Sequence, residues 1–344
     1  MGKGIKQGYF KKIMSIRGIG QVLTVTVGLV VLCIVFSFLN PTFASSKNVG
    51  NLLRQIAPIV LIGIGQSFVL ITGNIDLSIG SVVGMSCMIS ATLMTKGVNP
   101  WVAVMITIVC CLVVGLINGQ LVAKCKLPPF IATLGTMTIS RGIAQIVNNN
   151  YNTDSIGEGA TTFRDVFYYG KTLGLYNTIW IAIILWAIFN FVLSRTRTGR
   201  HIYAVGSNIE ASKLSGVSVV GTTIKAYMVS AFCAAVVGLI ICATSGMGTM
   251  DAGNMYEMYA VAASVIGGVS TLGGQGILLG TVIGAAIWGV LQNGLQFAGA
   301  PVAIRNIVIG IIVVVSVLLD VVVRSGKPRK KKESGSKIGL KLKA

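Results

Sequence analysis

Carboxylates are scarce in this chain, which contains only nine Asp and Glu among 344 residues. Asp76 lies in the polar stretch 72–81 (TGNIDLSIGS), between two apolar runs. A carboxylate beside Gly and Ser at such a break can line a solute pathway at membrane depth. It can equally cap the next helix by accepting the N–H of Ser78 or Ile79. The two roles are compatible, and Asp76 and Ser78 are predicted to lie near a pathway.

A second polar break, 269–276 (VSTLGGQG), has the same plan of an apolar run, small polar residues and glycines before a Gly-spaced helix. Gly273 and Gly274 are its candidates for the pathway. Counted as five spans apart, the two breaks would belong to halves of opposite orientation, as in transporters with inverted repeats. Chance similarity between Gly-rich spans is the alternative.

The third segment is a basic loop, 195–217, rich in Arg and Lys. Ser207-x-x-Glu210 fits a capping box and Gly216 fits a helix stop, so a helix of about two turns is predicted between them. Isolated helices shorter than roughly 12 residues are marginal, and we therefore expect this helix to dock on a cytosolic partner. A solvated loop that only sets topology is the alternative.

Several other kinds of chemistry are disfavoured by the residues present. The sequence 170–172 (GKT) resembles the end of a phosphate-binding loop, but Asp165 stands where the first Gly is required and 167–169 are bulky. A single histidine, His201, provides no cluster for zinc or haem. Seven Cys, an odd number with no CxxC pair, argue against a disulfide framework. We expect no ATP hydrolysis and no metal in this chain.

The elements that carry these segments are membrane spans. The chain is 53% hydrophobic and 11% charged, whereas soluble domains carry about 25% charged residues, and its mean hydropathy is +0.82. Apolar runs of roughly 20 residues suit a bilayer. Ten spans are predicted, near residues 21–39, 49–72, 79–95, 101–123, 128–147, 177–194, 223–244, 259–273, 277–298 and 304–323.

The net charge of +19 indicates orientation rather than a nucleic-acid partner. With alternating loops, 21 of the 28 Lys and Arg fall on the side of both chain ends, so both termini are predicted to be cytoplasmic. The predicted fold is an all-α, polytopic integral membrane protein. It divides into an amphipathic N-terminus (1–20), a membrane domain (21–324) with the cytoplasmic loop 195–222, and a basic tail (325–344) on anionic lipid.

Several long motifs, in the same order along nearly the whole chain, resemble the permease subunits of bacterial ribose-, xylose- and galactoside-type ABC importers. The segment 74–80 (NIDLSIG) resembles the family's GIDLSVG, with Asn74 in place of Gly and Ile79 in place of Val. The segment 129–137 (PFIATLGTM) is similar to the motif that opens the fifth span.

The resemblance extends through the second half of the chain. The segment 196–217 is similar to the family's cytoplasmic coupling segment, with Ser212 where many members carry Ala. Residues 256–257 (YE) and 266–276 (IGGVSTLGGQG) also match. Together these motifs identify the chain as a suspected member of that family.

The resemblance implies a type II ABC importer permease in the bacterial cell membrane, paired with a second permease subunit. A ribose-like pentose or related sugar would be delivered by an extracytoplasmic binding protein. A separate cytoplasmic ATPase would use ATP and Mg, so no cofactor is expected in this chain. The sugar stays open among ribose, other pentoses, galactose and a furanosyl signal molecule. A stand-alone secondary transporter or channel for a small polar solute is the alternative.

It also implies site residues. A groove of the ATPase would receive the helix 207–216, with Asn208, Glu210 and Leu214 in direct contact. The outer segments 148–176 and 245–258 are candidates for docking the binding protein. The residues predicted to couple to the ATPase are Gly199, Arg200, Gly206, Ser207, Asn208, Glu210, Ala211, Lys213, Leu214 and Gly216. The residues predicted near the pathway are Asp76, Ser78, Gly273 and Gly274.

Overall fold

The computed structural model describes residues 19–325. The predicted amphipathic N-terminus and basic tail fall almost entirely outside this range. The described residues form thirteen α-helices, which are α1 (Ile19–Leu39), α2 (Ser46–Ile71), α3 (Ile79–Thr95), α4 (Pro100–Ala123), α5 (Pro129–Ile146), α6 (Thr161–Arg164), α7 (Asn177–Arg195), α8 (Arg197–Ser207), α9 (Ile209–Leu214), α10 (Val219–Ser245), α11 (Tyr256–Ile266), α12 (Leu278–Phe297) and α13 (Val302–Ser325).

The connections contain short elements, so the all-α prediction needs one small correction. A hairpin of two-residue strands, β1 (Lys171–Thr172) and β2 (Leu175–Tyr176), pairs antiparallel between α6 and α7. The GKT sequence therefore runs into a strand and a turn instead of opening a helix, which a phosphate-binding loop requires. The remaining short elements are 3-10 helices at Pro41–Ala44 and Glu158–Ala160 and a π-helical turn at Asp165–Tyr169.

Nine of the ten predicted spans match a helix to within four residues at each end, whereas the span 259–273 is wrong in its second half, because α11 ends at Ile266 and the chain then enters the second break. Among the described residues, six helices are long and apolar enough to cross a membrane, namely α1, α2, α4, α7, α10 and α12. The helices α3 and α11 are apolar but shorter. α5 is 18 residues long but is not among the six, because Thr, Ser, Arg and Gln interrupt its apolar residues. The chain is therefore a multi-pass membrane protein.

The centre of the bundle is built from α2, α3, α10 and α12, whose residues are mostly buried, whereas few residues of α1, α4 and α7 are buried. Glycines allow helices of the bundle to approach closely. A Cβ on Gly65 of α2 would lie 2.9 Å from Ser230 Cα of α10, and one on Gly115 of α4 would lie 2.7 Å from Ala231 Cβ. Small residues at these crossings bring helices together where lipid provides no hydrophobic drive.

Candidate functional site

The basic loop folds into two consecutive helices, α8 and α9, at one end of the bundle, which we call the α8 end. Sequence analysis did not predict α8. Its first turn is capped by Thr196, whose Oγ1 accepts from the Gly199 N–H at 3.4 Å. Its apolar side buries Ile202 and Val205. A side chain at Gly199 would collide with the Leu193 carbonyl oxygen, so this glycine allows the tight turn from α7.

The predicted short helix is present, but its cap is one residue later than expected. Asn208 is the N-cap of α9, with an extended backbone (φ −165°, ψ 109°) and its Oδ1 accepting from the Ala211 N–H at 2.9 Å. Ser207 is the last residue of α8 and does not cap. The capping box Ser207-x-x-Glu210 is therefore wrong, since a residue that is still helical cannot adopt the extended N-cap conformation. Gly216 has a φ of +76° and ends the segment as predicted.

One face of α9 is bare. Leu214 is 91% exposed and Ile209 46% exposed. Glu210 and Lys213 form an exposed ion pair at 2.7 Å. Exposed pairs of this kind contribute little to stability, so this face is available to a partner. The predicted residues Arg200 and Ala211 are exposed as well.

The end of α8 packs into the two polar breaks, and we call this contact the junction: Ile71, Gly206 and Gly274. The Gly274 N–H donates to the Ile71 carbonyl at 2.8 Å. A Cβ on Gly206 would collide with that same carbonyl oxygen and would lie 2.6 Å from the Gly274 nitrogen. The three segments singled out by sequence therefore meet at one point, through backbone atoms.

Two further contacts hold α8 to the second break. Tyr203 donates its hydroxyl to the Gly276 carbonyl at 2.6 Å, and burial raises the pKa of Tyr203 to about 12, so the phenol stays a donor at neutral pH. Gly273 has a φ of +85°, and a Cβ there would lie 2.9 Å from both the Gly206 carbonyl oxygen and Gly73 Cα. Gly273 and Gly274 thus connect the first break to α8.

Both breaks lie side by side at the α8 end, since Gly274 of the second is hydrogen-bonded to Ile71, the last residue of the helix that enters the first. The interrupted segments of two inverted repeats can also meet near the middle of the membrane. The inverted-repeat hypothesis and its alternative, chance similarity, therefore both stay predictions.

Asp76 organises the first break through a buried hydrogen-bond network. Its Oδ1 accepts from the Ser78 N–H at 2.9 Å and from Ser78 Oγ at 2.6 Å, which confirms the predicted cap. Its Oδ2 accepts from Ser230 Oγ of α10 at 2.7 Å. Asn118 of α4 donates to Ser78 Oγ at 2.8 Å, and Thr136 of α5 donates to Asn118 Oδ1 at 2.6 Å.

This network joins the first break to four helices: α3, α4, α5 and α10. Asp76 is 2% exposed and Ser78 is 1% exposed. The hydroxyls of Ser78 and Ser230 act as donors to Asp76, because a carboxylate only accepts hydrogen bonds. The observed role of both residues is to fix the break between helices, and a direct role in the pathway stays a prediction.

The two predicted outer segments meet at the opposite end of the bundle, which we call the hairpin end. Thr153 and Gly248 exchange hydrogen bonds, with the Thr153 N–H donating to the Gly248 carbonyl at 3.0 Å and the Gly248 N–H donating to Thr153 Oγ1 at 2.8 Å. The Ile156 N–H donates to the Gly246 carbonyl at 2.9 Å. The segment 249–255 does not stay at this surface but runs inward along α3.

Arg54 of α2 also holds the hairpin end together. Its guanidinium carbon lies 3.9 Å from the centre of the Tyr168 ring and 4.0 Å from that of Tyr176. Cation–π contacts of this kind are worth about 0.5–2 kcal/mol. Sequence analysis missed Arg54, Tyr203 and Ser230 as site residues. For Arg54, the aromatic residues at 167–169 were the one available signal of a cation–π contact.

Within residues 19–325, no group of three His, Cys, Asp or Glu side chains is positioned to hold a metal ion. The buried polar groups around the first break are instead amides, hydroxyls and the Asp76 carboxylate. This arrangement can position backbone segments and transmit their displacement.

Comparison with known proteins agrees with this geometry. Residues 48–317 match the family described as branched-chain amino acid transport system / permease component. The chain belongs to this permease family. No solved structure gives a significant match to the permease.

Curated relatives cover nearly the whole permease. The chain is 36% identical over 312 residues to the ribose import permease protein of Bacillus subtilis, covering 90% of this chain and 96% of the relative. It is 33% identical over 294 residues to the D-allose transport system permease protein of Escherichia coli, covering 85% and 89%. It is 34% identical over 307 residues to the galactose/methyl galactoside import permease protein of Escherichia coli, covering 85% and 91%.

Proposed function

We propose that this permease is the transmembrane subunit of an ABC importer that moves a monosaccharide, a ribose-like pentose or a related sugar, across the bacterial cytoplasmic membrane. An extracytoplasmic binding protein delivers the sugar at the hairpin end. A separate cytoplasmic ATPase, which uses ATP and Mg, binds the α8 end. The permease works beside a second permease subunit, which we propose is a copy of itself. It contacts membrane lipid and binds no nucleic acid.

The observation that carries this proposal is the junction. A partner that pulls on the exposed α9 face moves α8, from which α9 is separated only by Asn208. The end of α8 is in backbone contact with both breaks. Displacement of α9 is therefore passed to α2, which ends at Ile71, and to α12, which begins just after the second break.

The relatives support the sugar class. Their names describe ribose, allose and galactose or methyl galactoside import. Each relative aligns with most of this chain. Their sequence identities to it differ by too little to select one sugar. The proposal therefore names the class, and an uptake panel of these sugars selects the member.

The test measures ATPase activity of the reconstituted complex, stimulated by sugar-loaded binding protein, in wild type and in Glu210→Arg and Leu214→Asp. Both side chains lie on the bare face of α9, so neither substitution disturbs the core. We expect each variant to lose the ATPase subunit on purification, or to lose most of the stimulation. Val220→Asp, also exposed but outside α9, is the matched control and should retain both.

Two outcomes contradict the proposal. If Glu210→Arg and Leu214→Asp keep the ATPase and its stimulation, α9 is not the coupling element. If the permease alone moves sugar without an ATPase and ignores both changes, it is a secondary transporter or channel.

A further inference from the structure

The segment 246–255, which we call the descending segment, is irregular backbone that enters the bundle. It starts at the hairpin end and follows α3 inward: a Cβ on Gly248 would lie 2.9 Å from Ala91 Cβ, and one on Gly84 would lie 2.6 Å from the Ala252 carbonyl oxygen. Further in, Gly253 packs on Gly80. From Ala91 to Gly80, α3 rises about 16 Å. Non-helical backbone at such depth occurs only where it is buried in protein or lines water.

Two charged side chains accompany the descending segment. Arg141 of α5 donates from one guanidinium nitrogen to the Met250 and Ala252 carbonyls, both at 2.9 Å. Glu257, in the first turn of α11, lies close enough to Arg141 for mutual electrostatic attraction. Glu257 packs against Gly80, and its Oε2 is buried and accepts no hydrogen bond from the described residues. This carboxylate oxygen lacks the donor that a buried acceptor requires.

The surface of α5 next to this pair is uncovered, and a stripe of small and polar residues runs along it beside exposed isoleucines at 131, 139 and 146. Gly135, Thr138 and Gln145 of α5 are exposed, and a Cβ at Gly135 or Gly142 would meet no atom within 4 Å. Helical spacing puts these residues on one face, with Arg141 at its edge. Arg141 and Glu257 are themselves only partly buried. A charged residue facing the hydrocarbon costs about 2.5–3.5 kcal/mol or more, so the accessible parts of Arg141 and Glu257 are better suited to water or a polar solute than to lipid.

We propose that Arg141, Glu257 and the exposed face of α5 (Gly135, Thr138, Gly142 and Gln145) form a sugar-contacting site in the translocation path. This inference rests on the proposed function and adds the place where solute touches the permease. A neutral sugar is recognised through its hydroxyl groups, which donate to a carboxylate and accept from a guanidinium. The partly buried Glu257 carboxylate supplies an acceptor, and Arg141 supplies donors beyond those held by the carbonyls.

The site is suited to passage rather than to tight retention. It offers one partly buried carboxylate and one partly engaged guanidinium. The α5 face beside it bears glycines with open space above them. A sugar can therefore slide along the face while its hydroxyls exchange partners at the charged pair.

The test measures two rates in proteoliposomes that contain the complete importer: uptake of radiolabelled D-ribose, D-allose and D-galactose, and ATP hydrolysis stimulated by loaded binding protein. A hydrogen bond to a charged group is worth about 1.5–3 kcal/mol. We expect Glu257→Gln to lower the sugar moved per ATP roughly tenfold and to leave stimulated hydrolysis within twofold of wild type. Glu257→Asp should recover part of the ratio.

A purely structural role for Glu257 predicts a different result. Uptake and hydrolysis would then fall together, or neither would change, and either result overturns the proposal. If the wild type moves none of the three sugars, the proposed function fails and this site with it.

A second variant tests the same proposal independently, in case the Glu257 variants do not fold. Gly135→Phe fills open space on the α5 face, where nothing lies within 4 Å of a new Cβ. In a sugar path it should block uptake and spare hydrolysis. Unchanged uptake places this face against lipid, and loss of the second permease subunit places it in the subunit interface; both results overturn the proposal.

Discussion

Replacing Gly206 by alanine places a methyl group where α8 meets both breaks. The nearest neighbours of that methyl are the carbonyl oxygen of Ile71 and, at 2.6 Å, the backbone nitrogen of Gly274, whereas ordinary contacts begin near 3.4 Å. Both neighbours are backbone atoms and are joined to each other by a hydrogen bond of 2.8 Å. Neither can rotate away as a flexible side chain would, so the two segments must separate.

The cost follows from these contacts. Forcing a methyl into a close-packed contact costs about 1–3 kcal/mol. Loss of the bond between Gly274 and Ile71 adds about 0.5–1.5 kcal/mol. Alanine returns roughly 0.5–1 kcal/mol through its better helix propensity. The net loss at the junction is about 0.5–4 kcal/mol, and its middle value of about 2 kcal/mol corresponds to a factor of roughly 30 in the equilibrium between packed and separated states.

The assay compares Gly206→Ala with Gly28→Ala, a glycine in α1 with no atom within 4 Å of a new Cβ. The readouts are the unfolding temperature of the purified complex and the stimulation of ATPase activity by loaded binding protein. We expect Gly206→Ala to bind the ATPase through α9 and yet to lose at least fivefold in stimulation. Gly28→Ala should match wild type in both measurements.

The reasoning fails if Gly206→Ala keeps wild-type stimulation and wild-type unfolding temperature. That result would mean that α8 and the breaks tolerate separation, and the junction would have no part in coupling.

Two further predictions concern the caps of the site. Asp76→Asn should lower the unfolding temperature by an amount equivalent to about 1–2 kcal/mol, because a charged acceptor of three hydrogen bonds becomes neutral and one of its oxygens becomes a donor group. The control Asp154→Asn, at an exposed position, should leave the unfolding temperature unchanged. An unchanged temperature for Asp76→Asn would contradict the role of the hydrogen-bond network. Asn208→Ala should speed amide hydrogen exchange in α9 about fivefold, since loss of a cap costs about 1 kcal/mol. Asn208→Asp, which keeps a capping oxygen, should retain wild-type exchange. Equal exchange in all three proteins would show that α9 does not depend on its cap.

Much of the fold could be predicted because membrane spans follow from composition. All predicted spans except the second half of 259–273 are helical, and the caps at Asp76 and Gly216 have the expected form. These features depend on local sequence: apolar length, an acid two residues before a free N–H, and a glycine where φ is positive.

The rest depended on contacts between distant segments. Helix α8 was missed because Gly199 and Gly206 weaken its local helix propensity, whereas its buried residues and the junction stabilise it in the folded chain. The same helix extends to Ser207 and thereby shifts the cap of α9 to Asn208. The descending segment was predicted as a surface loop, since nothing in residues 245–258 announces that Gly80 and Gly84 leave room for it along α3.

The junction has a consequence for how this protein diverges from its relatives. The atoms that touch there are a carbonyl oxygen, an amide nitrogen and a glycine Cα, so no side chain at one position can compensate for a change at another. Each glycine is constrained separately, and the pair leaves no correlated substitutions for a covariation method to detect. Purifying selection at single sites would preserve this contact while the solute-facing surfaces drift toward new sugars.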